Sequence, residues 1–554
     1  MPETSHRFPA LPDAVITAVT ALFDDSVAQH RMAGVTWAII GGHDHQQAVL
    51  AAGAAGSREL DGGVQAAGSG PMDRGTVSRI ASMTKSFTAA TILALRDEGQ
   101  LRLDDPVSTY VPEATGAFDL AADEREPTLR QLLTMSAGLV TDNPWGDRQQ
   151  AMSQEAFAAT LRGGLGHVHP VGTGFEYSNT GYALLGRVID EVTGSDFASE
   201  IRRRFLDPLG MTASGWSDRE IDTAYLATGH RLADRTDASR FEPVPLDEHG
   251  VYGAMAGLFS TVDDIAAWVR FLAAADAPYA AQREAGPLAT ASRREMQQLH
   301  RHHALAALPA GPAGSVGPAG SVGSTSAAGS AAPGGSAAAG GSAAGSADQG
   351  DSRSVSPGFD RVRGYGFGLV IEHFPDLGQV ISHSGGYPGY GSFMVWHRDS
   401  GVGVVALANS KYAPATPLSM QALRLLQQQI PGLLARRPVQ AAARTLEAAD
   451  AALQWLRTDD DSVAEAWFAD NMDLDVPRAE RRRRLTAALA ASGVEAEALG
   501  QLRAQDAQVL SRAQLRWTVP GPGDGAPSLR IDLLMDPRRG ALLQSLDTIA
   551  VAAR

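Results

Sequence analysis

Apolar residues recur along the chain with two different periods, and the order of these patterns predicts the fold. Apolar positions spaced as on one face of a helix predict helices over residues 11–30, 82–98, 128–134, 180–193, 261–272 and 418–430. Short runs rich in β-branched and aromatic residues predict strands over residues 34–41, 47–53, 364–372, 379–384, 392–397 and 402–408. Because strands come early and late with helices between them, we expect an α/β fold of the α+β kind, in which one antiparallel sheet is flanked by helices and joined by a helical subdomain.

The pattern changes after residue 438, which predicts a second domain. Helical periods occur at 446–456, 462–468 and 479–491, and strand patterns at 514–520, 529–535 and 542–551. We therefore expect a first domain over residues 12–435 and a small C-terminal α+β domain over residues 442–554. Positions 481–484 are four consecutive arginines; such a run is most often a solvated face, and an anion site is the alternative.

Residues 309–357 are almost entirely Gly, Ala, Ser and Pro. A segment of this composition has little to bury, so we expect a disordered insertion. Strand patterns resume beyond it, which places the insertion inside the first domain. A Gly-X-Y pattern at 311–323 is too short for a collagen triple helix.

Composition and charge narrow the function and the location. A formal net charge of −15 argues against nucleic acid or an anionic membrane as the partner. The absence of cysteine excludes disulfides, thiol catalysis and thiolate metal sites. The first residues lack a basic segment followed by an apolar one, and no apolar run could span a membrane, so we expect a cytoplasmic protein. A misassigned start codon could hide an export signal.

The strongest chemical signal is Ser82-Met83-Thr84-Lys85, at the start of a predicted helix. Ser82 and Lys85 lie three residues apart on one helical face, so the amine can reach the hydroxyl. The chain has 47 Lys and Arg residues but only two lysines, Lys85 and Lys411, so the other 45 (47 − 2) are Arg. Arg cannot give up its proton, whereas a buried Lys can become a base that activates a Ser nucleophile. A surface lysine with no catalytic role is the alternative.

Two further motifs fit this chemistry. The first is Tyr177-Ser178-Asn179. A nearby cationic Lys favours the phenolate form of Tyr177, which could then relay protons. The amide of Asn179 could orient the Lys side chain and a substrate carbonyl. The alternative is a core Tyr and a turn Asn. His383-Ser384-Gly385-Gly386 follows at the expected end of a strand, where a Gly pair lets a substrate approach. The N–H groups of Gly386 and Ser82 could form an oxyanion hole there, and an ordinary glycine bend is the alternative.

The three motifs, in this order, resemble those of the serine β-lactamase/penicillin-binding-protein superfamily, and most of all its class C β-lactamase-like branch of S12 peptidases and esterases. The runs 132–139, 206–211 and 256–264 agree with this resemblance. The resemblance covers residues 12–435 without the insertion. It implies a helical subdomain beside an antiparallel sheet with the site between them, an acyl-enzyme on Ser82, and neither metal nor cofactor.

One departure from the family pattern bears on the substrate. Lactam-hydrolysing members usually carry Lys-Thr-Gly where this chain has His383-Ser384-Gly385, and a neutral His is a poorer partner for a carboxylate. We therefore expect a serine hydrolase for a small ester, amide or peptide, of the esterase or D-amino-acid amidase/peptidase type. A β-lactamase or D-Ala-D-Ala carboxypeptidase is the alternative enzyme, and an inactive hydrolase-like binding module is the alternative of another class. The oligomeric state stays open.

Overall fold

The computed structural model describes residues 10–43, 45–61, 63–234, 237–277, 286–303, 362–411, 413–434, 439–523 and 525–552. The chain divides into two compact units, Met1–Arg436 and Arg437–Arg554. The insertion expected over residues 309–357 lies outside the described residues. Among these residues, no helix is both long and apolar enough to cross a membrane.

The helices of the first unit include the six that the periodicity predicts, with shifts of a few residues at their ends. They are α1 (Asp13–Ala28), α2 (Thr84–Asp97), α3 (Leu129–Leu133), α4 (Asn143–Gly146), α5 (Gln154–Arg162), α6 (Asn179–Thr193), α7 (Phe197–Ile201), α8 (Gly253–Ala256), α9 (Val262–Ala273), α10 (Thr290–Met296) and α11 (Ala415–Gln429). Several of their ends follow the sequence signals. The Thr261 side chain caps the first turn of α9, and Gly194 ends α6 with φ 68°.

The strands of the first unit are β1 (Gly34–Ile40), β2 (Val49–Gly56), β3 (Leu60–Asp61), β4 (Val64–Gln65), β5 (Ser78–Arg79), β6 (His230–Asp234), β7 (Asp237–Pro243), β8 (Phe259–Ser260), β9 (Arg301–His302), β10 (Val362–Tyr365), β11 (Val370–Phe374), β12 (Gly378–Tyr387), β13 (Tyr390–His397) and β14 (Gly403–Ala408). Eight of them form one sheet in the order β2-β1-β14-β13-β12-β11-β10-β9. All neighbours in this sheet are antiparallel. The early strand β1 lies beside the late strand β14, so the expected sheet from both ends of the unit is confirmed.

The central strands of this sheet are buried on both faces, which is why they are almost continuously apolar. Along β1, Trp37 and Ile39 belong to a core with α1 and α11, whereas Ala38 and Ile40 belong to the larger core with the remaining helices. In α2 the twelve residues from Thr84 to Leu95 are all buried, and the helix packs against α6 and α8. The sheet thus provides a rigid wall beside a buried central helix.

Two strand predictions differ from the structure. The expected strand at 364–372 is a hairpin, because Gly368 adopts φ +67° between β10 and β11. The strand expected at 379–384 continues to Tyr387 and pairs with β13 from Val380 to Tyr387. The glycine pair at 385–386 therefore lies inside a strand rather than beyond its end.

The second unit combines helices with one antiparallel sheet. Its helices are α12 (Ala443–Thr458), α13 (Asp461–Trp467), α14 (Met472–Asp475) and α15 (Arg478–Ser492), and its strands are β15 (Gln508–Ser511), β16 (Gln514–Val519), β17 (Ser528–Met535) and β18 (Leu543–Val551). The sheet order is β15-β16-β17-β18. Along β17, alternate residues are buried against the helices, as in a sheet with one packed face.

The four consecutive arginines at 481–484 are engaged within this unit. Arg481 is buried and donates to the carbonyls of Leu546 and Met472. The next three form ion pairs: Arg482 with Asp459 and Asp461, and both Arg483 and Arg484 with Glu480. These contacts indicate packing and surface ion pairs for the run, and they favour neither a ligand nor the anion-site alternative.

Candidate active site

Ser82 lies in a strained turn that leads into the buried helix α2. A short 3₁₀ turn over Ala81–Met83 precedes α2, so the α-helix begins two residues later than the sequence pattern predicts. Ala81 adopts φ 49°. This left-handed conformation is energetically unfavourable for any residue other than glycine. Ser82 is buried, with 8% of the residue exposed.

Strand β12 and its neighbours hold this turn against the sheet. A Cβ atom at Gly385 would overlap both the Ser392 hydroxyl and the Ile80 carbonyl, so only glycine lets the turn lie this close to the strand. The Ser392 hydroxyl also donates a hydrogen bond to the Ile80 carbonyl at 2.7 Å. Gly385 therefore fixes the distance between the turn that carries Ser82 and the sheet, rather than opening a path for a substrate.

The Lys85 ammonium is completely buried and contacts the Ser82 hydroxyl. Its Nζ lies 3.0 Å from Ser82 Oγ, 2.8 Å from Asn179 Oδ1 and 3.1 Å from the Met255 carbonyl. Burial lowers the pKa of Lys85 to about 7, although the charges of Asp147 and Asp142 oppose this effect. Near neutral pH a substantial fraction of Lys85 is therefore the free amine, which can accept a proton.

Asn179 is the first residue of α6, and a carboxylate holds it in place. Asp142 accepts hydrogen bonds from the backbone N–H of Asn179 at 2.7 Å and of Thr180 at 2.8 Å, and from the Thr180 hydroxyl at 2.6 Å. Asn179 Nδ2 donates to Asn143 Oδ1 at 2.8 Å, which leaves Oδ1 of Asn179 directed at Lys85. A negative group at a helix N-terminus is favourable, so this network orients Asn179 at little cost.

Tyr177 lies beside the same ammonium, but its phenolate is not favoured. The Lys85 Nζ is 5.0 Å from the centroid of the Tyr177 ring. Burial raises the pKa of the Tyr177 hydroxyl above its ordinary value, and a hydrogen bond from Ser82 opposes this only in part. The expectation of a tyrosinate is therefore wrong: in the free enzyme Tyr177 is a neutral phenol next to Ser82.

The His383 side chain is buried and uncharged. Its Nδ1 lies 2.6 Å from the Ser384 carbonyl, and its Nε2 lies 3.0 Å from the Tyr365 hydroxyl, so both ring nitrogens have partners within the protein. Burial, followed by the charge of Lys85, lowers the pKa of His383 to about 3. This side chain packs beside the Tyr177 ring, with centroids 6.5 Å apart, and offers no positive charge to a substrate.

Ser384 and Gly386 form the open part of β12 next to the turn that carries Ser82. Both residues are exposed, and a Cβ at Gly386 would meet no atom within 4 Å. Strand β11 pairs with β12 only as far as Ser382, so β11 does not cover this part of β12. The backbone around Gly386 is thus accessible to a substrate.

The structure brings all three motifs together and adds residues that the sequence motifs do not reveal. Lys85 contacts both Ser82 and Asn179, and Ser384 and Gly386 border the same region from β12. The additional residues are Asp142, Asn143, Met255 and Tyr365. The only sequence signal for them is weak: Asp142 and Asn143 precede a Pro, as at the start of a short helix.

A cleft of about 420 Å³ lies beside the N-terminus of α6. Its lining is mainly apolar, with Leu139, Val140, Pro144, Trp145 and Leu165 among the contributors. Polar residues of the α6 terminus, Asp142, Ser178 and Thr180, form one side of it. The cleft thus borders the network that holds Asn179, and its lining does not include Ser82.

The comparisons with known sequences identify the family. The sequence profile of the Beta-lactamase family matches residues 19–429. Protein flp of Staphylococcus aureus is 30% identical over 199 residues, which are 35% of this chain and 38% of that protein. An uncharacterized protein of Mycobacterium tuberculosis, MT1414, is 32% identical over 238 residues, which are 39% of this chain and 57% of that protein. The chain therefore spans less than two thirds of the length of these curated relatives.

Solved structures share the fold at low sequence identity. The octameric penicillin-binding protein homologue from Pyrococcus abyssi is 19% identical with a TM-score of 0.54, over 96% of this chain and 99% of that one. The D-amino acid amidase from Ochrobactrum anthropi SV3 is 20% identical with a TM-score of 0.51, over 75% of this chain and 99% of that one. The profile of this one family matches most of the chain, and the fold agrees with it. The chain therefore belongs to the Beta-lactamase family.

Proposed function

We propose that this chain is a serine hydrolase that cleaves small esters or amides through an acyl-enzyme on Ser82. The observation that carries this proposal is the pair of Ser82 and Lys85. Their side-chain atoms lie 3.0 Å apart, and Lys85 is buried with a pKa of about 7. A neutral amine at hydrogen-bond distance from a hydroxyl is the arrangement that general-base activation of a nucleophile requires.

In the first half-reaction, Ser82 Oγ attacks the substrate carbonyl carbon while its proton passes to Lys85 Nζ. The backbone N–H groups of Ser82 and Gly386 hold the developing oxyanion. The intermediate then expels an alkoxide or amine, which takes a proton from Lys85 through the Tyr177 hydroxyl. Asn179 keeps the Lys85 amine aligned during both transfers, since its Oδ1 lies 2.8 Å from Nζ.

In the second half-reaction, water attacks the acyl ester on Ser82. Its proton passes to Lys85, directly or through Tyr177, and the acyl group leaves as a carboxylic acid. Ser82 regains its proton, so the cycle needs no redox partner. A neutral phenol suits the relay, because it can accept one proton and donate another in the same step.

The absence of a positive charge in the motif His383-Ser384-Gly385 favours esters and neutral or cationic amides over β-lactams and D-Ala-D-Ala peptides. β-Lactams and D-Ala-D-Ala peptides carry a carboxylate, whereas His383 is uncharged and its ring nitrogens are occupied. Arg363 is the cation that could replace the missing charge at His383, but its Nε lies 3.7 Å from Glu372 Oε1 on the neighbouring strand β11 and so already faces a carboxylate. An inactive binding module is disfavoured, because a buried lysine with a lowered pKa costs stability that such a module has no reason to retain.

Covalent labelling tests the proposal directly. The wild-type protein should take up one fluorophosphonate per chain, with the adduct on Ser82 in a peptide map. Ser82→Ala should not be labelled while keeping the melting temperature of the wild type. Absence of an adduct would contradict the acyl-enzyme on Ser82 and favour the binding module, whereas an adduct on another residue would contradict Ser82 as the nucleophile.

A further inference from the structure

The buried imidazole of His383 forms one hydrogen bond to its own strand and one to Tyr365. Its Nδ1 lies 2.6 Å from the Ser384 carbonyl oxygen. A carbonyl oxygen can only accept, so the single proton of the neutral ring is on Nδ1 and Nε2 is an acceptor. The Tyr365 hydroxyl, 3.0 Å from Nε2, is therefore the donor to it. Tyr365, His383 and Ser384 thus form a chain of two hydrogen bonds in which every donor is defined.

The Ser384 carbonyl points to an uncovered edge of β12. The N–H of Arg398, just beyond β13, donates to the Gln379 carbonyl at 3.0 Å, which fixes the alternation along β12. Every second residue from Gln379 onward directs its backbone groups to β13, and the residues between them, which include Ser384 and Gly386, direct theirs to the opposite edge. Strand β11 covers that edge only as far as Ser382. The Ser384 carbonyl and the Gly386 N–H therefore point to the part of the edge that β11 leaves uncovered.

The two peptide groups that meet at Gly385 need a restraint on this edge. One of them carries the Ser384 carbonyl, and the other carries the Gly386 N–H. Position 385 has to be glycine because a Cβ would overlap the Ile80 carbonyl, yet glycine also allows these peptide groups the most freedom to rotate. Pairing with β13 restrains only the opposite edge. The hydrogen bond from His383 Nδ1 supplies the restraint on the uncovered edge, so it limits how far the Gly386 N–H can turn.

The Tyr365 hydroxyl in turn fixes the orientation of the imidazole. Tyr365 is 1% exposed and lies on β10, two strands away from β12. Its ring contacts the rings of Phe175 and Tyr177, with centroids 5.9 and 6.4 Å apart, so the position of its hydroxyl is well determined. Without this hydroxyl, Nε2 would be a buried acceptor that has lost its partner. The ring could then turn over, and Nδ1 would leave the Ser384 carbonyl.

We propose that His383 and Tyr365 are positioning residues that take the place of a neighbouring strand at this edge of β12 and keep the Gly386 N–H directed at the substrate carbonyl oxygen. This inference rests on the proposed function, because it concerns the oxyanion hole of the same site. It assigns the side chain of His383 to the support of the strand rather than to contact with a substrate. Both residues therefore act through Gly386.

The hydrogen-bond chain can be measured in the intact protein without a substrate. Long-range ¹H–¹⁵N NMR of protein labelled at histidine distinguishes a protonated ring nitrogen from an unprotonated one. His383→Asn identifies the signals of His383 among those of the 14 histidines. The wild type should carry the proton of His383 on Nδ1, and the Nε2 signal should shift in Tyr365→Phe. A proton on Nε2 in the wild type would overturn the proposal.

Tyr365→Phe tests the effect on the reaction, because it removes the hydroxyl and keeps the ring. Single-turnover kinetics with p-nitrophenyl acetate give the rate constant of acylation and the apparent dissociation constant of the substrate. The oxyanion forms only on the way to the acyl-enzyme, so the rate constant should fall about 10- to 100-fold while the dissociation constant stays close to that of the wild type. This loss is smaller than the 10²–10³-fold typical of removing an oxyanion donor outright. A wild-type rate constant, or a change in substrate binding alone, would overturn the proposal.

Tyr390→Phe is the matched control. Tyr390 is also buried in the sheet, on β13, and its hydroxyl donates to the Ala227 carbonyl at 2.9 Å. This variant should lose a similar amount of stability and acylate at the wild-type rate. A second pair of variants tests His383 itself: the amide of His383→Asn can donate from the position of Nδ1, whereas that of His383→Gln lies nearer to Nε2. His383→Asn should therefore retain more of the acylation rate than His383→Gln.

The outcomes separate this inference from the proposed function. If a fluorophosphonate labels Ser82 but Tyr365→Phe acylates at the wild-type rate, the positioning role is wrong and the serine hydrolase stands. If Tyr390→Phe slows acylation as much as Tyr365→Phe does, the effect is a general loss of packing, and the positioning role is again wrong. If Ser82 is not labelled, both proposals are overturned.

Discussion

At the scale of single residues, the site depends on the proton affinity of one lysine. The Lys85 ammonium has exchanged water for three oxygen acceptors in a closed environment. Burial therefore outweighs the neighbouring carboxylates and brings its pKa near neutrality. This also gives a physical reason for a lysine here, in a chain whose other basic residues apart from Lys411 are Arg, since Arg would keep its proton.

Replacing Lys85 by Arg should abolish acylation of Ser82. The charge remains, but the guanidinium cannot accept the Ser82 proton, so acylation should fall by about 10²–10⁴-fold. The measurement is the rate of p-nitrophenolate release from an acyl ester. Lys85→Met, which has a similar volume and no charge, controls for packing, and both variants need a melting curve. Activity above about a hundredth of wild type in Lys85→Arg would refute the general-base role.

Removing the Tyr177 hydroxyl should slow turnover with little loss of stability. In Tyr177→Phe the ring still packs against Tyr365 and His383, at centroid distances of 6.4 and 6.5 Å. The proton relay is lost, so acylation, deacylation or both should fall at least tenfold. Single-turnover kinetics separate the two steps. Wild-type rates in both would assign Tyr177 to packing alone.

The residue types of the motifs could be predicted from the sequence, but their surroundings could not. Ser82, Lys85, Tyr177 and Asn179 have recognisable spacing and order. Asp142 and Met255, by contrast, have no spacing signal, because long-range folding alone brings them to Asn179 and Lys85. The expected tyrosinate was wrong for the same reason: the burial that raises the pKa of Tyr177 depends on the tertiary structure.

At the scale of elements, the site is the junction of a strand and a turn. Strand β12 packs so closely on the turn before α2 that position 385 has no room for a side chain. The adjacent position 386 points to open space. The two neighbouring glycines therefore serve different purposes. Gly385 lets the turn pack against the strand, and Gly386 leaves the backbone accessible.

Substituting alanine at these two positions should separate the two reasons. Gly385→Ala overlaps Ser392 and Ile80, so it should destabilise the first unit by about 1–3 kcal/mol or more and reduce the labelling of Ser82. Gly386→Ala meets no atom within 4 Å and should keep the wild-type melting temperature. Differential scanning calorimetry measures both. Equal stability of the two variants would contradict the packing argument.

The longest helices of the first unit and most strands of its eight-stranded sheet follow from hydrophobic periodicity, because the sheet and the central helix are buried and strongly patterned. The predictions failed where one or two residues decide the conformation. Gly368 turns the expected strand at 364–372 into a hairpin, and the turn at Ala81–Met83 delays the start of α2. The strained conformation of Ala81 is held by packing against β12, whereas Gly368 packs against α2, and a single sequence reveals neither contact.

At the scale of the whole molecule, charge bears on substrate choice. The chain has a formal charge of −15, and the active-site region contains the carboxylates Asp142 and Asp147 but a neutral His383. A negative field disfavours anionic substrates before any contact is made. The predicted cytoplasmic location agrees with this preference, since β-lactams and cell-wall peptides are met outside the cytoplasm, and it stays a prediction.

The kcat/KM for an uncharged ester or an amide should therefore be larger than that for a β-lactam. Loss of a charge-assisted hydrogen bond to the substrate carboxylate costs roughly 1.5–3 kcal/mol, or about 10- to 150-fold. The measurement compares nitrocefin, a p-nitrophenyl acyl ester and a D-alanyl anilide at pH 7. Nitrocefin as the best of the three would mean that another group replaces the missing cation.

The pH dependence of Ser82 acylation tests the central claim, that Lys85 acts as a neutral base. The substrate should be an uncharged p-nitrophenyl ester, so that only the enzyme titrates. Because burial places the pKa of Lys85 at about 7, the acylation rate should be constant above this pH and fall tenfold per unit below it. Asp147, whose pKa burial raises to about 6, interacts with Lys85, so the apparent midpoint belongs to the pair. A midpoint near 7 that disappears in Lys85→Arg is the predicted result; a rate that keeps rising to pH 10, or does not change with pH, would contradict the account.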